Sequence, residues 1–208
     1  MKNILCLGFR PDHHQTLTRI MSKRFRLITF KGDSLQQMNL PNIVNIEDVI
    51  DMQNLSLDVH DVHKSVTQFY GSMGNKLGQS LPDFPMQYLF DEHNQVMDAA
   101  QQQLGAQMIF EALCNTIQLD FVIANAEYDA SRRPFVLMAQ DRGIPTLNIQ
   151  HGYLVQVPKP HAYKHYIPLN YVCDFVNVDN ELEKSYFEEH KARNPSWKHI
   201  EIICCGTS

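Results

Sequence analysis

Phe121-Val122-Ile123-Ala124, the polar run Asn125-Ala126-Glu127-Tyr128-Asp129, the segment Ser131 to Arg142, and Gly143-Ile144-Pro145 leading into Thr146 to Ile149 together decide the fold. Four consecutive apolar residues predict a strand buried on both faces, because a half-exposed strand alternates with polar positions. The polar run is a loop. Ser131 to Arg142 predicts a helix, and Pro134 is tolerated in its first turn, where backbone N–H groups have no intrahelical partner. Gly143 stops that helix, and Ile144-Pro145 starts the next strand. Strand, helix and strand at this spacing make a parallel βαβ unit.

The same alternation extends outward in both directions. Toward the amino terminus, Asn3 to Gly8, Arg26 to Phe30 and Ile43 to Ile46 predict short strands, and a helix is expected from about Asp12 to Lys23 with Leu17, Ile20 and Met21 on one face. Asp51 to Pro85 carries polar residues and Gly71, Gly74 and Gly78; it predicts one helix around Val62 to Tyr70 and a loop. Met97, Ala100, Leu104, Met108, Ile109 and Leu113 recur at steps of three and four, which marks a long amphipathic helix over Asp91 to Thr116. Toward the carboxyl terminus, Val172 to Val178 and His199 to Cys205 predict strands. Between them, Asn180 and Glu183 have capping-box spacing for a helix to about Glu189. No internal repeat and no Gly/Ser linker interrupts the pattern. The expectation is one Rossmann-like α/β domain over residues 1–208: a doubly wound, mainly parallel sheet with helices on both faces.

Composition narrows the function. The 208 residues hold 18 Lys+Arg against 23 Asp+Glu, a formal charge of −5, with 44% hydrophobic residues. That excludes wholesale disorder and lacks the electrostatic footprint of a nucleic-acid binder or of a protein adhering to an anionic membrane. No apolar run approaches the roughly 20 residues needed to span a bilayer. Met1 to Gly8 lacks the length and cleavage site of a signal peptide, so a cytoplasmic protein is expected. The five cysteines include no C-x-x-C pair. They read as buried, reduced small hydrophobes, and none has the surroundings of a nucleophile.

In doubly wound sheets, ligands bind at the carboxyl ends of the strands. Four loops lie there: Phe9 to His14, Asn125 to Ser131, Gln150 to Tyr153, and the residues after Val178. None holds G-x-G-x-x-G and no Walker A sequence occurs, so no dinucleotide or P-loop cofactor is expected. His151 in Gln150-His151-Gly152 follows a strand directly. It can act as a general base, its unperturbed pKa being near 6.5, or it can fix the turn through backbone carbonyls. His13 and His14 follow the first strand and read as residues of a helix start capped by Asp12. Arg10 can meet an anion or remain a solvated charge. Asn125, Glu127 and Asp129, with Arg132 and Arg133 at the next helix start, can orient His151, bind sugar hydroxyls or hold phosphate; the same cluster can serve as caps and internal ion pairs. His161 and His165 have four-residue spacing without further ligands, so no metal is expected.

The order from Asp120 to Ser208, with Gly-Ile-Pro-Thr at 143–146, Gln-His-Gly at 150–152, Val-Asp at 178–179 and Gly-Thr-Ser at 206–208, resembles the amino-terminal half of GT-B-type glycosyltransferases. Similar in pattern are surface- and capsule-polysaccharide transferases, CDP-glycerol glycerophosphotransferases and UDP-N-acetylglucosamine 2-epimerases. The resemblance implies two Rossmann-like lobes facing across a cleft, the first holding a sugar or glycan acceptor and the second the nucleotide sugar. It implies acid/base or phosphate-contacting work for His151, with His13 and Glu127 as further catalytic candidates. Arg10, His14, Asn125, Arg132, Gln150 and Gly152 are the implied substrate contacts. The expectation is an acceptor-side lobe, cut before its donor-binding partner lobe and inactive alone, with peripheral membrane association only through the full-length protein. The alternatives are half of a 2-epimerase-like enzyme and a stand-alone, non-catalytic α/β binding domain.

Overall fold

The computed structural model describes residues 1–9, 24–38, 42–56, 58–81, 83, 85–125, 127, 131–149 and 171–204. Seven strands, β1 (Lys2–Leu7), β2 (Phe25–Thr29), β3 (Ile43–Asn45), β4 (Phe121–Asn125), β5 (Thr146–Ile149), β6 (Phe175–Val178) and β7 (Glu201–Cys204), form one sheet in the order β3-β2-β1-β4-β5-β6-β7. Every pairing is parallel. Four helices lie among the described residues: α1 (His60–Ser80), α2 (Met86–Thr116), α3 (Arg133–Asp141) and α4 (Glu181–Arg193). This is a Rossmann-like α/β fold.

The strands alternate between two apolar clusters, which explains why they are continuous apolar runs. Leu5 and Leu7 of β1 join one cluster with Phe110 and Leu113 of α2, Phe135 and Ala139 of α3, Phe187 of α4, and Trp197. Ile4 and Cys6 belong to the other, with Leu27, Leu35, Ile123 and Ile149. The α-helical residues in these two clusters all pack on the first. The helix expected from about Asp12 to Lys23 lies outside the described residues.

Besides ends shifted by a few residues, as where α2 begins at Met86 rather than Asp91 and α4 runs to Arg193 rather than Glu189, two elements differ from their sequence reading. The helix expected only around Val62 to Tyr70 is α1, 21 residues that run through all three glycines. Packing against α2 overrides the poor helix propensity: Gly74 is buried, and a Cβ built there would lie 2.9 Å from Met86 Cε. The strand expected from Val172 begins only at Phe175. Residues 172–174 leave the ladder because side chains take their backbone groups. The Val172 and Cys173 N–H donate to Glu127, and the Asp174 N–H donates to Thr146 Oγ1 at 2.9 Å.

Helix ends follow the local chemistry. Gly143, at φ +67°, stops α3 in a conformation that other residues rarely adopt. At α4, Asn180 Oδ1 accepts the Glu183 N–H at 2.9 Å while Glu183 Oε2 accepts the Asp179 N–H at 2.9 Å. Asn180→Ala is expected to cost about 1 kcal/mol, as loss of an N-cap usually does. A urea midpoint unchanged from wild type would contradict the cap's contribution.

Candidate functional site

The carboxyl edge of the sheet holds the site. The strand order reverses between β1 and β4, so the connections leave in opposite directions and open a crevice there. Beside it lies a cavity of about 520 Å³, at the ends of β1 and β2. Its walls are apolar where Leu7, Phe30, Ile109 and Phe135 line it, and polar where Lys31, Asp33 and Arg132 do. Phe30 and Phe135 meet edge to face, with ring centroids 5.7 Å apart.

Three backbone-directed contacts build the wall at β1. Gly8 takes φ +70°, and a Cβ there would lie 2.3 Å from the Arg132 guanidinium carbon. Only glycine lets that guanidinium settle against the chain. Arg132 Nη1 donates to the Asn125 carbonyl at 2.6 Å, and Asn125 Nδ2 donates to the Gly8 carbonyl at 2.9 Å. The loops after β1 and β4 are thereby tied together. On the other side, Asp33 Oδ2 accepts the N–H groups of Gly8 and Phe9, each at 3.1 Å, and Oδ1 accepts that of Leu35 at 3.0 Å. In a dinucleotide fold the loop after β1 approaches the pyrophosphate. Here two of its N–H groups face the protein's own carboxylate.

Glu127 follows β4, beside Asn148 of β5. Its side chain is fully buried, and its backbone N–H donates to Asn148 Oδ1 at 3.0 Å. Its carboxylate accepts the Val172 N–H at 2.5 Å and the Cys173 N–H at 3.0 Å. Burial pushes its pKa above the ordinary carboxylate range, while the hydrogen bonds from Cys173 and Val172 pull the other way. The Cys173 thiol is pushed well up by burial and by the Glu127 charge. Cys6 is likewise raised by burial. Neither thiol is in the low-pKa state that reactivity needs.

Of the residues singled out in the sequence, Asn125, Glu127 and Arg132 come together at this edge. Glu127 is held as an anchor for the chain entering β6. Arg10, His13, His14, Gln150, His151 and Gly152 lie outside the described residues, as do Asp129, His161 and His165. No family model matches this chain, and no curated protein matches it. The site is therefore read from its own chemistry. Among the described residues no three His, Cys, Asp or Glu side chains gather as metal ligands, and no helix is long and apolar enough to cross a membrane.

Sequence reading missed Lys31, Asp33 and Gly105. The first two stand in Lys31-Gly32-Asp33, a turn directly after β2, so the carboxyl-end rule applies to that loop as much as to the four considered. Also missed was a set of polar residues near the strand ends. Thr29 in β2, Asn125 in β4, Asn148 in β5 and Asn177 in β6 are all buried. Thr29 Oγ1, Asn125 Oδ1, Asn148 Nδ2 and Asn177 Oδ1 have no hydrogen-bond partner among the described residues. Asn125 and Asn177 flank Ile149 in the same row of the sheet. Buried polar groups are normally paired, and these four atoms have no partner among the described residues near the edge where open α/β sheets bind ligands.

Proposed function

We propose that this chain is the acceptor-binding, amino-terminal lobe of a two-lobed, nucleotide-sugar-dependent glycosyltransferase of surface-polysaccharide or glycoconjugate synthesis. The supporting observation is the cavity beside the strand-order reversal, where an open α/β sheet binds its ligand. The order of short motifs from Asp120 to Ser208 adds the GT-B character.

In this reading an acceptor hydroxyl lies at the carboxyl edge, and a nucleotide sugar comes from a facing lobe. His151 accepts the hydroxyl proton as the oxygen bonds to the anomeric carbon and the nucleotide leaves with the bonding pair. An alcohol of high pKa attacks better when its proton is taken as the bond forms. Glu127 is a positioning residue: its carboxylate holds the Val172 and Cys173 N–H groups, which follow His151 in the chain.

The test is sugar transfer by the native polypeptide that carries this chain, with uridine- and cytidine-activated donors. His151→Ala is expected to lower kcat by about 10²- to 10⁴-fold, the usual contribution of a general base, with donor affinity retained. Full transfer by the variant, or a product epimerised at C2 and never transferred, would sink the reading. So would a polypeptide that consumes no nucleotide sugar.

A further inference from the structure

We propose that the cavity at the ends of β1 and β2 binds an anionic amphiphile. Its nonpolar body would lie against Phe30, Ile109 and Phe135, and its phosphate or carboxylate would be held at Lys31 and Arg132. The inference rests on the acceptor-lobe reading and gives the acceptor its chemical class.

Gly105, in the body of α2, lines this cavity. A helix-interior glycine costs about 1 kcal/mol relative to alanine. At Gly74 close packing explains the glycine, because Met86 occupies the space a side chain would need. At Gly105 a built Cβ meets none of the described residues within 4 Å. The same holds for Gly71 and Gly78 on α1, but Gly105 is the one that lines the cavity beside the strand-order reversal. No packing neighbour among the described residues demands the glycine, whereas a ligand in that cavity would.

The size and walls set the class of ligand. About 520 Å³ falls within the usual range for a small-molecule pocket. A free sugar needs paired donors and acceptors on its hydroxyls, whereas the described wall is mostly apolar, with Gln102 and Ser131 its uncharged polar side chains. It suits hydrocarbon. The rim carries the charge. Lys31 is exposed there, and the Arg132 guanidinium lies against Gly8 at the amino-terminal end of α3, where the helix dipole is positive. The opposing carboxylate, Asp33, accepts three backbone N–H groups, which offset its charge within the wall. Among the described lining residues the rim therefore carries two cationic side chains and one carboxylate beside an apolar slot.

The experiment is calorimetric titration of the 208-residue chain with octyl phosphate below its micelle concentration, beside octanol, inorganic phosphate and glucose 6-phosphate. Octyl phosphate is expected to bind at least about tenfold more tightly than each of the others, a difference of about 1.4 kcal/mol. Gly105→Leu is expected to abolish that binding and keep the circular-dichroism spectrum and Tm, since leucine favours the helix and its side chain enters vacant space. Lys31→Gln, at an exposed position, is expected to weaken octyl phosphate several-fold and leave octanol unchanged; it carries the test if Gly105→Leu does not fold.

Undiminished binding by a folded Gly105→Leu would overturn the proposal, as would octanol binding as tightly as octyl phosphate. Tighter binding of glucose 6-phosphate would show a polar acceptor instead, and inorganic phosphate binding as tightly would show a bare anion site. Absence of binding by all four probes also overturns it. Octyl phosphate binding without any sugar transfer by the native polypeptide would defeat the transferase reading alone. Transfer to a neutral glycan with no octyl phosphate binding would defeat this inference alone.

Discussion

Glu127→Ala is expected to lower the unfolding free energy by about 3–5 kcal/mol, read as a fall in urea midpoint at unchanged slope. The carboxylate accepts two backbone N–H groups, from Val172 and Cys173, in a site with no exposed side-chain surface. Alanine leaves both donors buried and unmatched, at roughly 1–3 kcal/mol each. It also empties the volume of the missing carboxyethyl group, which a packed interior refills only in part. Glu127→Gln separates charge from hydrogen bonding: one oxygen still accepts, but the amide NH₂ faces the other N–H donor to donor. That variant is expected to lose about 1–3 kcal/mol.

The pH dependence has a definite sign. Burial raises the Glu127 pKa in the folded protein, so the native state binds this proton more tightly than the unfolded chain does. The group's contribution to stability is therefore fully present below the unfolded carboxylate pKa and is lost as pH rises through the folded value. Glu127→Gln should remove that downward slope. A Glu127→Ala protein within about 0.5 kcal/mol of wild type would show that Val172 and Cys173 do not depend on this carboxylate, since substitutions of that size are typical of unengaged surface sites.

Local signals made most of the element order legible. Apolar runs located all seven strands, because strands buried on both faces are near-continuous hydrophobic stretches in a polar chain. Gly143 and the Asn180–Glu183 pair marked helix ends, because a positive φ and a cap are decided by one or two residues. The readings failed where distant partners decide the outcome. Gly71, Gly74 and Gly78 argued against a long helix, and only Met86, in the next helix, shows why Gly74 is there. Val172 and Cys173 are as apolar as the strand they precede. Glu127, 45 residues before Val172, draws them out of the ladder. The site divides in the same way. The carboxyl-end rule led to Asn125, Glu127 and Arg132. Lys31 and Asp33 follow β2, where the same rule applies, whereas Gly105 joins them only through the path of α2, which no local spacing encodes.

Asp33 supplies the second large effect, and its two readouts should move in opposite directions. Its carboxylate holds the N–H groups of Gly8, Phe9 and Leu35, so it joins the loop after β1 to the turn after β2. Asp33→Ala leaves three N–H groups without their carboxylate acceptor in a half-buried site, and a loss of about 2–4 kcal/mol is expected, because each bond to a charged acceptor contributes roughly 1.5–3 kcal/mol and water replaces part of it. Asp33→Asn keeps one carbonyl oxygen, so it should retain part of that stability while removing the negative charge from the cavity wall. If the cavity takes an anion at Lys31 and Arg132, octyl phosphate should bind Asp33→Asn a few-fold more tightly than wild type, and the gain should shrink as salt screens the rim. A carboxylate that only supported the loops would give the reverse: a looser wall and weaker binding to match the lower Tm. Opposed changes in Tm and affinity thus separate the electrostatic role of Asp33 from its structural one, and weaker binding by Asp33→Asn would place the anion away from this rim.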